Sequence, residues 1–245
     1  AADWPQYRGP SVDGKTPEAV AARWPETGPR SLWKAPTTGG FSTFAVRDGR
    51  AFTLMTREVE GAKREVCVAF DAASGKELWA APLGMAKYDG GGDSGTDDNK
   101  GGDGPRSTPA VDAKAVYVLG AQLNLACLDV ATGKALWSVD LVKEHGARNI
   151  SWQSAASPLL EGGLLYLCCG AEGGSLMALK PADGSVVWKK ESDKMTHASP
   201  VPATVLGVRQ IIFFTQTGLV STDPKSGAVL WRYSFRYAVS TAASP

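Results

Sequence analysis

Six side chains carry the chemistry needed to hold a flat, anionic ligand: Arg106, Trp152, Gln153, His197, Arg236 and Tyr237. Arginine offers a rigid fork of donors that meets a carboxylate bidentately, while Trp and Tyr combine an apolar face with a polar tip. Brought together by loops, the six would line a polar, aromatic-edged pocket. Taken singly they are solvated loop residues with a structural bond or two, and spacing alone supports that plainer reading. The only histidines, His145 and His197, come without a Gly-x-Ser-x-Gly elbow and are not at metal-ligand spacing. Neither a nucleophilic hydrolase nor a zinc enzyme is therefore expected. The Gly- and Asp-rich stretch 89–103 presents carboxylates of the kind that hold calcium, but no Glu closes it at the twelfth position. It reads as a solvated insertion, not a metal site. No catalytic residue can be assigned.

Bulk properties narrow the class. The chain has 245 residues, 43% hydrophobic and 21% charged, ordinary values for a soluble globular protein able to bury a large core. Lys and Arg number 26 against 25 for Asp and Glu, a formal charge of +1, which gives no basic surface for nucleic acid. The longest apolar runs, 159–167 and 205–214, are interrupted by polar residues or Gly and are too short to span a membrane. The opening Ala1-Ala2-Asp3 looks like a mature end left by signal-peptide cleavage at a small-residue site, so a periplasmic or other extracytoplasmic location is expected. Four cysteines, Cys67, Cys127, Cys168 and Cys169, are too few and too irregular for a disulfide framework, and no Cys-x-x-Cys-His for covalent haem occurs.

A repeat must position the candidate residues. Residues 69–79, 127–137, 178–188 and 221–231 align as one eleven-residue phrase that closes in Asp-x-x-x-Gly-x-x-x-Trp, and 30–33 holds a weaker copy of its tail. The tryptophans Trp33, Trp79, Trp137, Trp188 and Trp231 recur near the ~40–50-residue period of one propeller blade. Pro109, Pro158, Pro200 and Pro245, each preceded by Ser or Thr, keep the same beat. Proline suits the start of a first strand, where no ladder donor is needed. The runs that follow, 115–119, 164–167 and 210–214, are rich in β-branched and large apolar residues and read as strands. Within the phrase, Asp caps a tight turn and Gly supplies a positive φ. Trp stands on the outer strand and packs between blades, with the small residues Ala69, Cys127, Ala178 and Ser221 leaving it room. Cys127 is thereby a buried small side chain. The third repeat departs from the pattern with Lys180 in the Asp position, but Asp183, just before Gly184, can still cap the turn.

The phrase resembles the tryptophan-docking motif of the pyrroloquinoline quinone (PQQ) propeller family. Trp4-Pro5-Gln6-Tyr7-Arg8-Gly9-Pro10 and Gly104-Pro105-Arg106-Ser107-Thr108-Pro109 are similar to its exported bacterial branch, which is outer-membrane assembly factor-like or alcohol dehydrogenase-like. The resemblance implies an all-β propeller of four-stranded antiparallel blades, seven or eight when complete, with about five represented here. One incomplete domain over 1–245 is expected. It holds an N-terminal segment 1–40, blades at 41–83, 106–141, 154–190 and 197–233, an insertion at 84–105 and the start of another blade at 234–245, the remaining blades coming from further sequence or a second chain.

Two functions follow from the resemblance. The leading one is an exported noncatalytic module that binds a protein or a small polar ligand through its channel-mouth loops. The other is a PQQ- and calcium-dependent alcohol or sugar dehydrogenase, in which the ion polarises the quinone and a carboxylate takes the substrate proton. That enzyme needs a stacking Trp, a Glu/Asn/Asp cation cluster and a base, and the repeats do not supply the set. Methanol-oxidising relatives place a disulfide of neighbouring cysteines against the cofactor. Cys168-Cys169 instead lies in a strand, where successive side chains point to opposite faces, and both are expected to be reduced core residues.

Overall fold

A computed structural model describes residues 2–88, 104–235 and 245. Its strands form four antiparallel four-stranded sheets, each built from consecutive strands. Blade one holds β1 (Ala45–Arg47), β2 (Arg50–Val59), β3 (Ala62–Asp71) and β4 (Glu77–Met85). Blade two holds β5 (Ala110–Val111), β6 (Ala115–Leu119), β7 (Asn124–Asp129) and β8 (Ala135–Asp140). Blade three holds β9 (Leu159–Glu161), β10 (Leu164–Cys168), β11 (Leu176–Leu179) and β12 (Val186–Lys190). Blade four holds β13 (Val201–Val205), β14 (Val208–Thr215), β15 (Gly218–Thr222) and β16 (Val229–Ser234). The one helix among the described residues, α1 (Leu141–His145), is capped by Asp140 and closed by left-handed Gly146.

β1, β5 and β9 approach one another and so form the inner edge, while β4, β8, β12 and β16 are the most exposed strands and form the rim. The architecture is an arc of a β-propeller. Its middle strands are nearly continuous in apolar residues, as befits blades packed face to face, with blades two and three covered on both faces. Tyr166, Leu167, Met177 and Phe213 belong to one buried cluster that runs across blade boundaries.

The repeated phrase explains how blades meet. Each Trp pairs directly across the sheet with a small residue: Trp79 with Ala69, Trp137 with Cys127, Trp188 with Ala178 and Trp231 with Ser221. In every blade the register slips immediately after that pair. Such a bulge turns the rim strand and re-aims its side chains. The indole of each of four tryptophans then lies on the turn glycine of the following repeat: Trp33 on Gly75, Trp79 on Gly133, Trp137 on Gly184 and Trp188 on Gly227. These glycines share φ of 71–72°. Each indole N–H also donates to a carbonyl of the same turn, Trp33 to Ala72 at 3.1 Å, Trp79 to Val130 at 3.2 Å, Trp137 to Pro181 at 2.9 Å and Trp188 to Pro224 at 2.8 Å. Trp231 donates within its own blade, to Gln210 Oε1 at 2.6 Å. The turns are set by Asp71, Asp129 and Asp223, each accepting from a backbone N–H three residues on at 2.8 Å. In the third repeat Asp183 accepts from Ser185 N at 2.9 Å, and Gly184 N still reaches the Lys180 carbonyl, so a changed cap leaves the turn intact.

Two further devices tie the inner edge. Thr43 Oγ1 meets Thr108 Oγ1 at 2.7 Å, Thr108 N donates to Ser157 Oγ at 2.9 Å, and Ser157 N donates to Ser199 Oγ at 2.8 Å. This hydroxyl ladder steps from blade to blade at the residues just before the inner strands. At the other end of those strands the N-terminal segment crosses the blades. Trp4 bridges Val46, the Pro5 carbonyl accepts from Val111 N, and Gln6 Oε1 accepts from Leu160 N at 2.9 Å.

Candidate functional site

The loops that lead into the inner strands, β4–β5, β8–β9 and β12–β13, open on one face around the inner edge. The N-terminal segment bonds to the inner strands themselves, at Val46, Val111 and Leu160, and the face from which these loops enter is called the mouth. Arg106 sits on the first loop, Trp152 and Gln153 on the second and His197 on the third. The structure brings these four together, whereas Arg236 and Tyr237 lie outside the described residues.

Arg106 is the centre of the group. Its Nη1 donates to the Trp152 carbonyl at 3.0 Å. Its guanidinium carbon lies 5.7 Å from the Phe41 ring centroid and 5.6 Å from that of Tyr88, within range for cation–π attraction. Trp152 and Gln153 adopt left-handed backbone conformations with φ of 64° and 60°. That arrangement is costly for non-glycine residues and persists only where the surroundings hold it. Here the Arg106 bond and the Ser154 N–H bond to Ala121 O grip both sides of the strained pair. Gln153 is buried, while Trp152 keeps 39% of its surface exposed.

His197 is nine-tenths buried, and its Nδ1 has no hydrogen-bond partner among the described residues. Burial, reinforced by the charge of Arg106, holds its pKa below the usual imidazole value despite the opposing pull of a bond to the Ser151 backbone. The ring is therefore neutral at pH 7. If it donates to the Ser151 carbonyl through Nε2, Nδ1 is left as an acceptor.

Sequence reasoning missed Glu65. This buried β3 residue accepts from Tyr88 Oη at 2.8 Å and from Ala121 N at 3.0 Å. Burial raises its carboxyl above the usual range, and the bonds from Tyr88 and Ala121 with the Arg106 charge offset that only in part. Glu65 closes the charged half of β3, after Lys63 and Arg64, so its pattern gave no signal of burial. Glu65 anchors Tyr88, and Tyr88 in turn faces Arg106.

Farther out on the same face a cleft of about 580 Å³ opens between blades three and four, lined among others by Arg148, Glu172, Lys194, Met195 and Gln216. Arg148 pairs with Glu172 across it at 3.2 Å. Beside it, buried Asp193 is gripped by Arg232 at 3.0 Å and by the hydroxyls of Thr215 and Thr217. Cys168 closes β10 and Cys169 lies just beyond it, not within the strand, both as buried free thiols. Cys168 Sγ lies 3.4 Å from Ser175 Oγ, and burial pushes its pKa up to about 12.

Residues 62–244, well over half of the chain, match a family model described as outer membrane protein assembly factor BamB. No curated protein matches. The structure is similar to BamB from Moraxella catarrhalis, at 16% identity and a TM-score of 0.50, covering 78% of this chain and 50% of that one. It is also similar to a quinohemoprotein alcohol dehydrogenase from Comamonas testosteroni, at 18% identity and a TM-score of 0.58, covering 81% of this chain and 35% of that one. A europium-containing methanol dehydrogenase aligns at 15% identity and a TM-score of 0.54, covering 80% of this chain and 41% of that one. The chain thus spans half or less of the length of these structures, and at such identities the likeness shows a shared fold.

Proposed function

Starting from the fact that the chain belongs to the PQQ-like repeat family matched by the assembly-factor model, we propose that it acts as an exported, noncatalytic binding module. The working surface is the mouth face, where Arg106, Trp152, Gln153 and His197 meet. The observation that carries this reading is the convergence of three loops on Arg106, a cation flanked by Phe41 and Tyr88 and bonded to a strained loop bearing an exposed indole. Backbone strain held in place by neighbouring bonds clusters at ligand clamps, and an aromatic-flanked guanidinium suits a carboxylate on a flat or extended partner. The match to a family model described as an outer membrane protein assembly factor supports a protein as the partner. The extracytoplasmic setting is part of the proposal; among the described residues no helix is long and apolar enough to cross a membrane.

The dehydrogenase reading asks for a stacking Trp, a Glu/Asn/Asp cation cluster and a base. The described residues contain no group of three or more His, Cys, Asp or Glu able to hold a metal. The carboxylates on this face are dispersed and already engaged: Glu65 by Tyr88 and Ala121, Asp193 by Arg232, and Glu172 by Arg148. The stretch 89–103, with five Asp residues, lies outside the described residues. No reaction step is derived through a quinone.

The discriminating experiment incubates the full-length protein with PQQ and calcium, then records absorption and dye-linked oxidation of alcohols and sugars. The binding-module reading expects no uptake at micromolar quinone and no turnover. Stoichiometric uptake with turnover would replace it by the dehydrogenase reading.

A further inference from the structure

The cleft of about 580 Å³ between blades three and four carries more positive charge than its own residues neutralise. Two cations, Arg148 and Lys194, and one carboxylate, Glu172, stand around it. Arg148 meets Glu172 at 3.2 Å through a single guanidinium nitrogen, the two side chains being 70% and 76% exposed. An ion pair that open contributes little and exchanges partners readily. Lys194 has no side-chain partner among the described residues. The cleft therefore keeps one positive charge in excess, together with the remaining guanidinium donors of Arg148.

The backbone under each cation is pinned. Arg148 N donates to the Cys169 carbonyl at 3.0 Å, and a Cβ at Gly170 would stand 2.6 Å from the Arg148 carbonyl, so only glycine lets the two turns approach this closely. On the blade-four side, Gln216 N donates to the Lys194 carbonyl at 3.0 Å and its Nε2 to the Met195 carbonyl at 2.9 Å. Ile150 and Met195 add apolar surface between the charges. The same loops run on into the mouth: Trp152 follows Ile150 by two residues on the β8–β9 loop, and His197 follows Met195 by two on the β12–β13 loop.

Resting on the mouth-face reading above, we propose that this cleft receives an extended acidic segment of the partner protein. Its carboxylates meet Arg148 and Lys194, and its apolar side chains lie on Ile150 and Met195. Charge sets the sign of the occupant, since the unneutralised groups are cations and donors. Openness sets its size: a small ligand buries roughly 70–90% of its surface in its site, which a cleft with so exposed a lip does not allow. A nucleic acid needs a broad basic field, whereas the whole chain carries a formal charge of +1. Charged groups around an apolar floor, next to the half-exposed indole of Trp152, match the rim and centre of a protein interface. Glu172 then holds the place on Arg148 that a carboxylate of the segment takes over.

Fluorescence anisotropy of the full-length protein with a labelled peptide of alternating Glu and Leu tests this, with Gln/Leu and Lys/Leu peptides and glutarate as controls. The Glu/Leu peptide is expected to bind at least about tenfold more tightly than any control and to weaken as salt is raised. Arg148→Gln and Lys194→Gln should each weaken it about threefold and together about tenfold, while Lys194→Arg preserves it. Glu172→Gln frees Arg148 and should tighten binding about threefold. Glu161→Gln makes the same change of net charge at the far end of β9, where it releases Arg209, and should leave binding unchanged. Equal effects of Glu172→Gln and Glu161→Gln, glutarate binding as tightly as the peptide, or no peptide binding at millimolar concentration overturns the proposal. Binding lost in Arg106→Ala but kept when Arg148 and Lys194 are both Gln overturns the cleft and leaves the mouth face standing. Quinone uptake with turnover overturns the mouth-face reading and the cleft with it.

Discussion

Adding one methyl group at Gly133 measures what the tryptophan contact contributes between blades. A Cβ built there stands 2.6 Å from Trp79 Cε3 and 2.7 Å from Cδ2. Carbon atoms in contact prefer about 3.5–4.0 Å, so the indole has to retreat by about 1 Å. It has little room, because its N–H holds the Val130 carbonyl at 3.2 Å and its ring packs 5.8 Å from that of Phe52. Gly49 provides the control. It shares a φ of +72° with Gly133, yet a Cβ there meets nothing within 4 Å. Gly49→Ala therefore reports left-handed strain alone, about 1 kcal/mol. Gly133→Ala adds overpacking of about 1–3 kcal/mol and is expected to cost about 3 kcal/mol in all. Urea unfolding followed by tryptophan fluorescence reads both, with midpoints compared at unchanged m. If Gly133→Ala falls within about 0.5 kcal/mol of Gly49→Ala, the indole–glycine contact does not hold the blades and the reasoning fails.

Three other outcomes follow. Ser157→Ala deletes one rung of the hydroxyl ladder and leaves the buried Thr108 N–H without its acceptor; a loss of about 1–3 kcal/mol in urea unfolding is expected, and no change would show that the ladder is incidental. Burial alone would raise the Asp193 carboxyl, but Arg232 and Thr217 outweigh it and hold the pKa below the usual range. That stabilisation is fully present above the unfolded carboxyl value near 4 and is lost as pH falls through the folded value, so Asp193→Asn should lower the urea midpoint at pH 7 and flatten its decline in acid. Burial pushes Cys127 and Cys168 up to about 12. All four thiols should therefore resist iodoacetamide in the native protein at pH 8 and react on unfolding, as mass spectrometry would count.

The architecture was legible because its markers are local and repeated. The phrase ending at Trp79, Trp137, Trp188 and Trp231 encodes a turn, a bulge and a packing partner within eleven residues, so each copy announces the next. The third copy shows how far such reading reaches: Lys180 breaks the pattern, Asp183 takes over the cap, and Gly184 keeps the turn. The first copy behaves differently. Trp33 packs on blade one, yet no strand of a preceding blade surrounds it in 30–33, because its contact lies across sequence and needs no ladder of its own.

The mouth was less legible. Arg106, Trp152, Gln153 and His197 could be named as chemically suitable, but their meeting depends on blade curvature, a property of the whole arc and not of any segment. Glu65 and Tyr88 escaped notice for the same reason. Neither belongs to the repeated phrase, and their pairing joins β3 to the segment after β4. The serines and threonines before Pro109, Pro158 and Pro200 were visible as a beat. Their role as rungs between blades emerged only once neighbouring inner strands were side by side.

The central claim, that the mouth face around Arg106 is where this protein binds, is tested most directly by photo-crosslinking in cells. A photoreactive residue replaces Trp152 in the full-length protein, and a second version carries it at Leu206, which is 99% exposed in the β13–β14 turn at the far ends of the inner strands. The account predicts discrete covalent adducts from position 152, weakened by Arg106→Ala, and none from position 206. Adducts from 206 alone, or adducts at 152 indifferent to Arg106, would contradict it.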